Sequence, residues 1–376
     1  MKRIYFNNQK NLKNVMALTW YKEHEKQVFA LEDCKEGLFF DFDNEKFKWF
    51  IIEAESGEIT GMVFPGNLSL GVDYRFNEKL GRDLTYLWSR DIKKTGRVEN
   101  HIIRDEKNLY YREDKSKKIS VFLPESYDGV TPHDILYFFD AQNLFCMAGE
   151  YTDKGDPYGS WQLDLVLSEI YRQYGKSIIV VGIDNADSYR SRELFMNPKK
   201  FGELSDFAKT PDGEFSNGYL ESLSSFMVTT LHSFIKENYC VKEDNIGLGG
   251  SSMGGIASFF CGLYEMGFYK YILSYSPAFA LFKSEAFERW FKLIDFKKHP
   301  DLLPKIHIYC GGGDELEKNL LYQAVKMKQT LVSYGYDEEK VFESYDLDKP
   351  HNEESWRLVL PESFTNLLSL QEIENG

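Results

Sequence analysis

A serine hydroxyl is a poor nucleophile until a base takes its proton, so a chain that uses one must assemble a serine, a base and an acid. Here the serine stands in Gly250-Ser251-Ser252-Met253-Gly254, within IGLGGSSMGGIASFF. A short apolar strand precedes this G-x-S-x-G pentapeptide and a helical pattern follows, the setting a nucleophile elbow needs. The turn is sharp and the nucleophile's backbone strained, so glycines remove neighbouring side chains that would clash. The pentapeptide alone also suits a glycine-rich structural turn; strand before and helix after favour the catalytic reading. Ser252 is the expected nucleophile, and Ser251, one position earlier, should point away.

In an elbow of this kind the partners follow in the order serine, acid, histidine. Only His299, His307 and His351 come after Ser252. His307 lies inside the strand KIHIYC, which suits a packed strand residue. His299 precedes a proline in a charged loop. His351 follows the strand VFESYD, in the loop LDKPHNEESW before the last helix, and is the expected base. The acid should follow the preceding strand, where KIHIYC runs into Gly311-Gly312-Gly313-Asp314-Glu315. Asp314 is the first choice and Glu315 the close second; each could orient the imidazole, and one of them should cap the helix that starts near Leu316. The oxyanion donors expected are the backbone N–H of Met253 and that of Gln142, or of Ala141, in the loop after the strand ILYFF. Donors of this kind are worth about 3 kcal/mol each.

Two styles of sequence position these residues. Up to about residue 105, short alternating runs are broken by turn pairs such as Asn7-Asn8, Asp43-Asn44, Ser56-Gly57 and Pro65-Gly66, which predicts a small β-sandwich. Thr95–Lys118 is charged and reads as the junction. Beyond it, apolar runs such as IIVVGI alternate with helical patterns at Leu163–Tyr174, Leu220–Asn238, Gly254–Tyr264, Asn319–Tyr334 and Glu353–Leu368. Runs that are apolar throughout suit strands buried on both faces, and the alternation predicts a mostly parallel sheet flanked by helices, with ligands at the carboxyl ends of its strands. The expected architecture is therefore an α/β-hydrolase domain at 106–376 behind a β-sandwich domain at 1–105. A polar stretch at Asn185–Gly218 follows a core strand and reads either as a lid or substrate-binding insertion or as a disordered surface loop; its Arg190 and Arg192 are candidate substrate contacts, or partners for local carboxylates.

Composition narrows the function. The 376 residues carry a net charge of −14, which repels phosphate backbones and makes nucleic acid an unsuitable partner. Phe and Tyr number 29 and 24, enough for large cores and for rings that stack on sugars or aryl groups. Five cysteines lie far apart with no C-x-x-C pair, which points to a reducing compartment rather than a disulfide framework. The first residues, MKRIYFNNQK, lack the apolar run of a signal peptide, and no stretch approaches 18 apolar residues, so a cytoplasmic location without membrane attachment is expected. No H-E-x-x-H, dinucleotide fingerprint or phosphate loop is present, and no cofactor or metal is expected.

Residues 118–370 resemble the esterase family that includes esterase D and the enterochelin (siderophore) esterases. The matching stretches run in order: DAQNLF at 140–145, VVGIDN at 180–185 with Arg190 and Arg192 after it, GGSSMGG at 249–255, YSPAF at 275–279 and PHNEESW at 350–356. The resemblance implies Ser252 as nucleophile, His351 as base and Asp314 as acid. Relatives usually read D-G-Q where this chain has Asp140-Ala141-Gln142, and often carry Glu in the acid loop. In the first domain, IYFNNQKNLKNVMALTW and VFPGNLS resemble starch-binding β-sandwich modules, which makes Trp20, Tyr21 and Trp49 candidate stacking residues or, equally, core residues. The expected activity is hydrolysis of a carboxylic ester through an acyl-enzyme, on an acylated carbohydrate of acetyl or hydroxycinnamoyl type or on a siderophore trilactone. A reading of another class is a non-catalytic carbohydrate-binding protein on a hydrolase scaffold.

Overall fold

The computed structural model describes residues 2–6, 12–22, 25–34, 37–43, 47, 49–55, 57–58, 74–75, 86–91, 96–145, 161–209, 215 and 217–370. The chain forms two compact units, Met1–Thr95 with Asn143–Glu169, and Gly96–Gln142 with Ile170–Gly376. In the first, two antiparallel sheets share a core. One contains Lys2–Phe6 paired with Gly37–Phe42 and Tyr86–Asp91; the other pairs Met16–Lys22 with Glu25–Ala30 and Trp49–Ala54. Ile4, Phe6, Phe40 and Phe42 of one sheet cluster with Ala17, Phe50 and Ile52 of the other. This is the inward alternation that period-2 patterning dictates. Trp20 is half-buried and pairs in backbone register with Trp49. The VFPGNLS stretch lies outside the described residues, as do the side chains of Tyr21 and Trp49.

The second unit is built on an eight-stranded sheet. In chain order its strands are β1 (Gly96–Arg104), β2 (Ser116–Pro124), β3 (His133–Phe139), β4 (Ile178–Ile183), β5 (Val241–Ser251), β6 (Tyr271–Tyr275), β7 (Lys305–Gly311) and β8 (Val341–Asp346). Their spatial order is β1-β2-β4-β3-β5-β6-β7-β8. The β1–β2 and β2–β4 pairs are antiparallel and all later pairs parallel. β3 and β4 are buried at every position, as their unbroken apolar runs require. α1 (Leu163–Tyr174) begins in the first unit and ends in the second; around the sheet lie α2 (Leu220–Phe226) running through a π turn at Met227–Leu231 into α3 (His232–Asn238), then α4 (Met253–Tyr264), α5 (Ser284–Ile294), α6 (Glu315–Ser333) and α7 (Glu353–Leu368). This is the α/β-hydrolase arrangement expected from the sequence.

Two expectations need correction. The leading stretch of the first unit ends at Thr95 rather than 105, and Asn143–Glu169 falls in that unit too; the segment read as a charged junction contributes to the β1–β2 pair. β1 is an edge strand with its polar side chains outward, so its composition looks like linker. Over its described length Asn185–Gly218 is not the disordered surface loop that is one of its two sequence readings. Leu194, Phe195, Met196, Phe201 and Ala208 are buried in the main core, and Phe195 stacks on Phe282 at 4.7 Å. Residues 210–214 and 216 lie outside the described residues.

That segment is pinned from beneath by charge. Lys117 on β2 and Glu193 after β4 form an ion pair with side chains 1% and 0% exposed, and the Tyr111 hydroxyl donates to the same carboxylate oxygen. Burial and the Glu193 charge push that hydroxyl above its ordinary range. Removing one member of a buried pair strands the other charge, a loss of about 3–5 kcal/mol. Lys117→Met is expected to lower the unfolding free energy by about that amount, and Glu193→Leu added to it to restore most of the loss. Urea melts followed by circular dichroism check both; a single variant as stable as the parent would mean the pair carries no such weight.

Candidate active site

Ser252 lies between the end of β5 and the start of α4, with φ 57° and ψ −117°. A non-glycine residue in that region costs about 1–3 kcal/mol and persists only where its surroundings over-determine it. They do so here. A Cβ on Gly250 would lie 2.5 Å from the carbonyl oxygen of Gly254, and one on Gly255 would lie 2.6 Å from that of Tyr275. The glycines therefore let β5, α4 and the end of β6 meet backbone to backbone. The Ser252 N–H donates to the Tyr275 carbonyl at 2.9 Å, and the Ser252 carbonyl accepts from Ala278 N at 3.1 Å and from Ile256 N at 3.1 Å. Met253 opens α4, so its N–H has no carbonyl one turn back within the helix. Ser251 is buried inside β5, opposite Tyr275 in register.

The loop after β3 comes to the same place. Asp140 follows Phe139 with φ 59°, and Ala141–Asn143 form a single 3-10 turn. Arg190 donates to Asp140 through Nε at 2.6 Å and Nη2 at 2.8 Å, and Asn185 Nδ2 adds a bond to Oδ1 at 2.9 Å. The Asn185 N–H in turn donates to Gln142 Oε1 at 3.2 Å. A Cβ on Gly254 would come within 3.1 Å of Asp140 Oδ2, so this clamp sits against the start of α4. Burial alone would raise the Asp140 carboxyl; the Arg190 charge and the hydrogen bonds from Arg190 and Asn185 outweigh it and hold the group below its ordinary 3.8. Arg190, a candidate for substrate or for a local carboxylate, takes the second role and is committed to the loop that carries Gln142. Arg192 is half-buried, its guanidinium 6.0 Å from the Tyr189 ring.

The acid on the histidine is Glu317, which the sequence reading missed. His351 Nδ1 lies 2.9 Å from Glu317 Oε1, and that carboxylate is fully buried. Oε1 also accepts from the Ser276 hydroxyl; Oε2 accepts from the Cys310 thiol at 3.0 Å and from Gly311 N at 3.1 Å. Desolvation opposes the charge, but the hydrogen bonds from His351, Ser276 and Cys310 outweigh it and leave the Glu317 carboxyl below its ordinary 4.5. Asp314 is instead the N-cap of α6: Oδ1 accepts from Glu317 N at 2.8 Å, while Oδ2 accepts from the backbone N–H of His351 at 2.7 Å. Glu315 is exposed and pairs with Lys318. The error has a physical source. Asp314-x-x-Glu317 has the spacing of a capping box, whose glutamate normally turns back to the cap. Here the glutamate turns to the histidine.

The three glycines at the end of β7 admit the histidine loop. Gly312 and Gly313 donate to the Lys349 carbonyl at 3.1 and 2.8 Å, and a Cβ on Gly311 would lie 2.3 Å from that oxygen. Trp356 on α7 packs edge-on against the His351 ring at 4.9 Å. His307 is buried in β7 with Nε2 2.8 Å from Ser344 Oγ, and burial lowers its pKa to about 4. His299 is exposed. Among the described residues no group of His, Cys, Asp and Glu is arranged to hold a metal, and no helix is long and apolar enough to cross a membrane.

Asp140, Asp314 and Glu317 all have folded-state pKa values below their ordinary ones. Each adds stability that is complete above about pH 4.5 and drains away as pH falls through the lowered value. Urea-unfolding free energies are expected to be level from pH 7 to about 4.5 and then to decline. Asp140→Asn, though less stable at pH 7, should show a shallower decline. An unchanged slope in that variant would remove Asp140 from the account.

The comparisons with known proteins agree with this architecture. No curated protein matches the chain. Among solved structures it is similar to an IroE-like serine hydrolase from Shewanella oneidensis, with 15% identity over 71% of this chain and 78% of that one and a TM-score of 0.53. Siderophore hydrolase EstA from Aspergillus nidulans matches at 14% identity over 74% and 98%, TM-score 0.53. BES protein from Bacillus cereus matches at 14% over 74% and 97%, TM-score 0.52. At such identities the likeness concerns the fold. The family model described as Putative esterase matches residues 113–367, and the chain belongs to that family: it is a serine esterase on an α/β-hydrolase fold.

Proposed function

We propose that the protein hydrolyses a carboxylic ester through an acyl-enzyme, with Ser252, His351 and Glu317 as its triad. The observation that carries this reading is the fully buried Glu317 carboxylate on His351 Nδ1, in a fold whose elbow holds Ser252 at φ 57°. With Nδ1–H engaged by Glu317, Nε2 is the free base of the ring. It takes the proton from Ser252 Oγ as that oxygen attacks the ester carbonyl. The oxyanion that forms meets the N–H groups of Met253 and Gln142. Collapse expels the alcohol, which receives the proton from His351. Water then repeats the sequence on the acyl-enzyme and releases the acid. Glu317 stays ionised throughout and stabilises the imidazolium, a role its four hydrogen-bond donors suit.

For the substrate, an acylated carbohydrate is the first reading. It draws on the resemblance of the N-terminal sequence to starch-binding modules and on the aromatic content of the chain. A siderophore ester is the second, supported by the likeness of fold to siderophore hydrolase EstA. The engagement of Arg190 by Asp140 removes one cation that a catecholate ester would use. Full-length protein offered acetyl- and feruloyl-sugars beside a trilactone separates the two, and retention on immobilised glucan tests the first independently.

A fluorophosphonate probe is expected to label Ser252, with labelling lost in Ser252→Ala; absence of labelling on folded protein would move the reading to a carbohydrate-binding protein on a hydrolase scaffold. Glu317→Gln should lower kcat by about 10³- to 10⁴-fold, whereas Asp314→Asn, which keeps one acceptor oxygen for the cap and loses the tie to the histidine loop, should lower it by less than about tenfold. Steady-state kinetics on any turned-over ester decide between them. The reverse ranking would return the acid role to Asp314.

A further inference from the structure

The stretch YSPAF joins the two halves of the site. Tyr275 and Ala278 hold the backbone of Ser252 at both its N–H and its carbonyl. Between them, Ser276 has φ 40°, a strained value for a residue with a side chain, and donates its own N–H to the Tyr309 carbonyl at the end of β7. Its hydroxyl is fully buried and lies in a chain of bonds. Trp356 Nε1 donates to Ser276 Oγ at 2.8 Å; Ser276 Oγ donates to Glu317 Oε1, the same oxygen that meets His351 Nδ1. A hydroxyl that receives one bond has a more acidic proton and makes a stronger second one. A hydroxyl at the neighbouring strand end thus competes with the histidine for one carboxylate oxygen, while its backbone neighbours fix the nucleophile.

We infer that Ser276, with Trp356 behind it, is a positioning residue that sets the geometry of the Glu317–His351 pair relative to the Ser252 elbow. The inference rests on the triad proposed above. Alanine at 276 would leave the packing almost unchanged, since the hydroxyl alone is removed. Glu317 Oε1 would then have one donor fewer and would draw the His351 proton more strongly, while the carboxylate lost part of what fixes its plane. Among the described residues, the other titratable groups near this pair include Asp314, which holds the His351 backbone, and Cys310 and Tyr309, which burial and the Glu317 charge push above their ordinary ranges, so that both stay neutral.

The test combines histidine nitrogen NMR with kinetics on the full chain. In Ser276→Ala the His351 midpoint and the acid limb of kcat/KM should move up together relative to the parent, with kcat lowered about tenfold or more and KM within about twofold. Trp356→Phe keeps the hydroxyl but removes its donor, and should move the same midpoint by a smaller amount in the same direction. If Ser276→Ala does not fold, the Trp356→Phe titration decides. An unmoved His351 midpoint in a folded variant overturns the inference. A moved midpoint in a protein that turns over no ester upholds the positioning role and overturns the esterase mechanism instead.

Discussion

A carboxylate with no access to water has to find every partner inside the protein. Glu317 meets that demand with donors from four places: the His351 ring, the Ser276 hydroxyl, the Cys310 thiol and the Gly311 backbone; its own N–H donates to the cap at Asp314. Burying such a charge unpaired would cost several kcal/mol. Each donor therefore restrains the element it belongs to, which makes β7, the end of β6, α6 and the histidine loop a single mechanical unit around one group. Mutual restraint of this kind holds a catalytic geometry tighter than a loop could alone.

Strain is distributed accordingly. Asp140, Ser252 and Ser276 close β3, β5 and β6, and all three have positive φ. Each carries a short polar side chain, and each is held by partners from the neighbouring strand end. Asp140 is locked by Arg190 and Asn185, Ser252 by Tyr275 and Ala278, Ser276 by Tyr309 and Trp356. Parallel strands end side by side, so three unfavourable turns stand in a row and support one another. The free energy stored there comes from the apolar strands beneath, which are buried on both faces and tolerate little adjustment.

Much of this was legible in the sequence because it follows from local pattern. Unbroken apolar runs gave β3 and β4, glycines around Ser252 gave the elbow, and the position of His351 after VFESYD placed it at a strand end. What stayed hidden depends on direction rather than on type. Glu317 reads as the second half of a capping box, and only the fold turns it toward the histidine. Arg190 reads as a cation for substrate or for some local carboxylate, but the sequence does not say which, because Asp140 lies fifty residues earlier in the chain and pairs with it only once β3 and β4 are neighbours. β1 reads as linker because an edge strand has one solvated side and little apolar pattern. Lys117, buried in a strand, gives no sign of its partner in the sequence.

The choice of glutamate on a helix, rather than aspartate on the loop, has a geometric reason. Asp314 sits where the chain turns, and both of its oxygens are taken by backbone N–H groups, that of Glu317 in the first turn of α6 and that of His351 in the histidine loop. It cannot both make the loop and serve the imidazole. Three residues on, Glu317 stands on the first turn of α6, and its extra methylene spans the distance back to the strand end. The histidine loop then needs little rigidity of its own. It is tied at the His351 N–H by Asp314 and at the Lys349 carbonyl by Gly312 and Gly313, while the ring is gripped by Glu317 and Trp356. Separating the residue that shapes the loop from the residue that holds the ring allows each to be optimally placed, and it makes the first turn of α6 as much a part of the site as the elbow that carries Ser252.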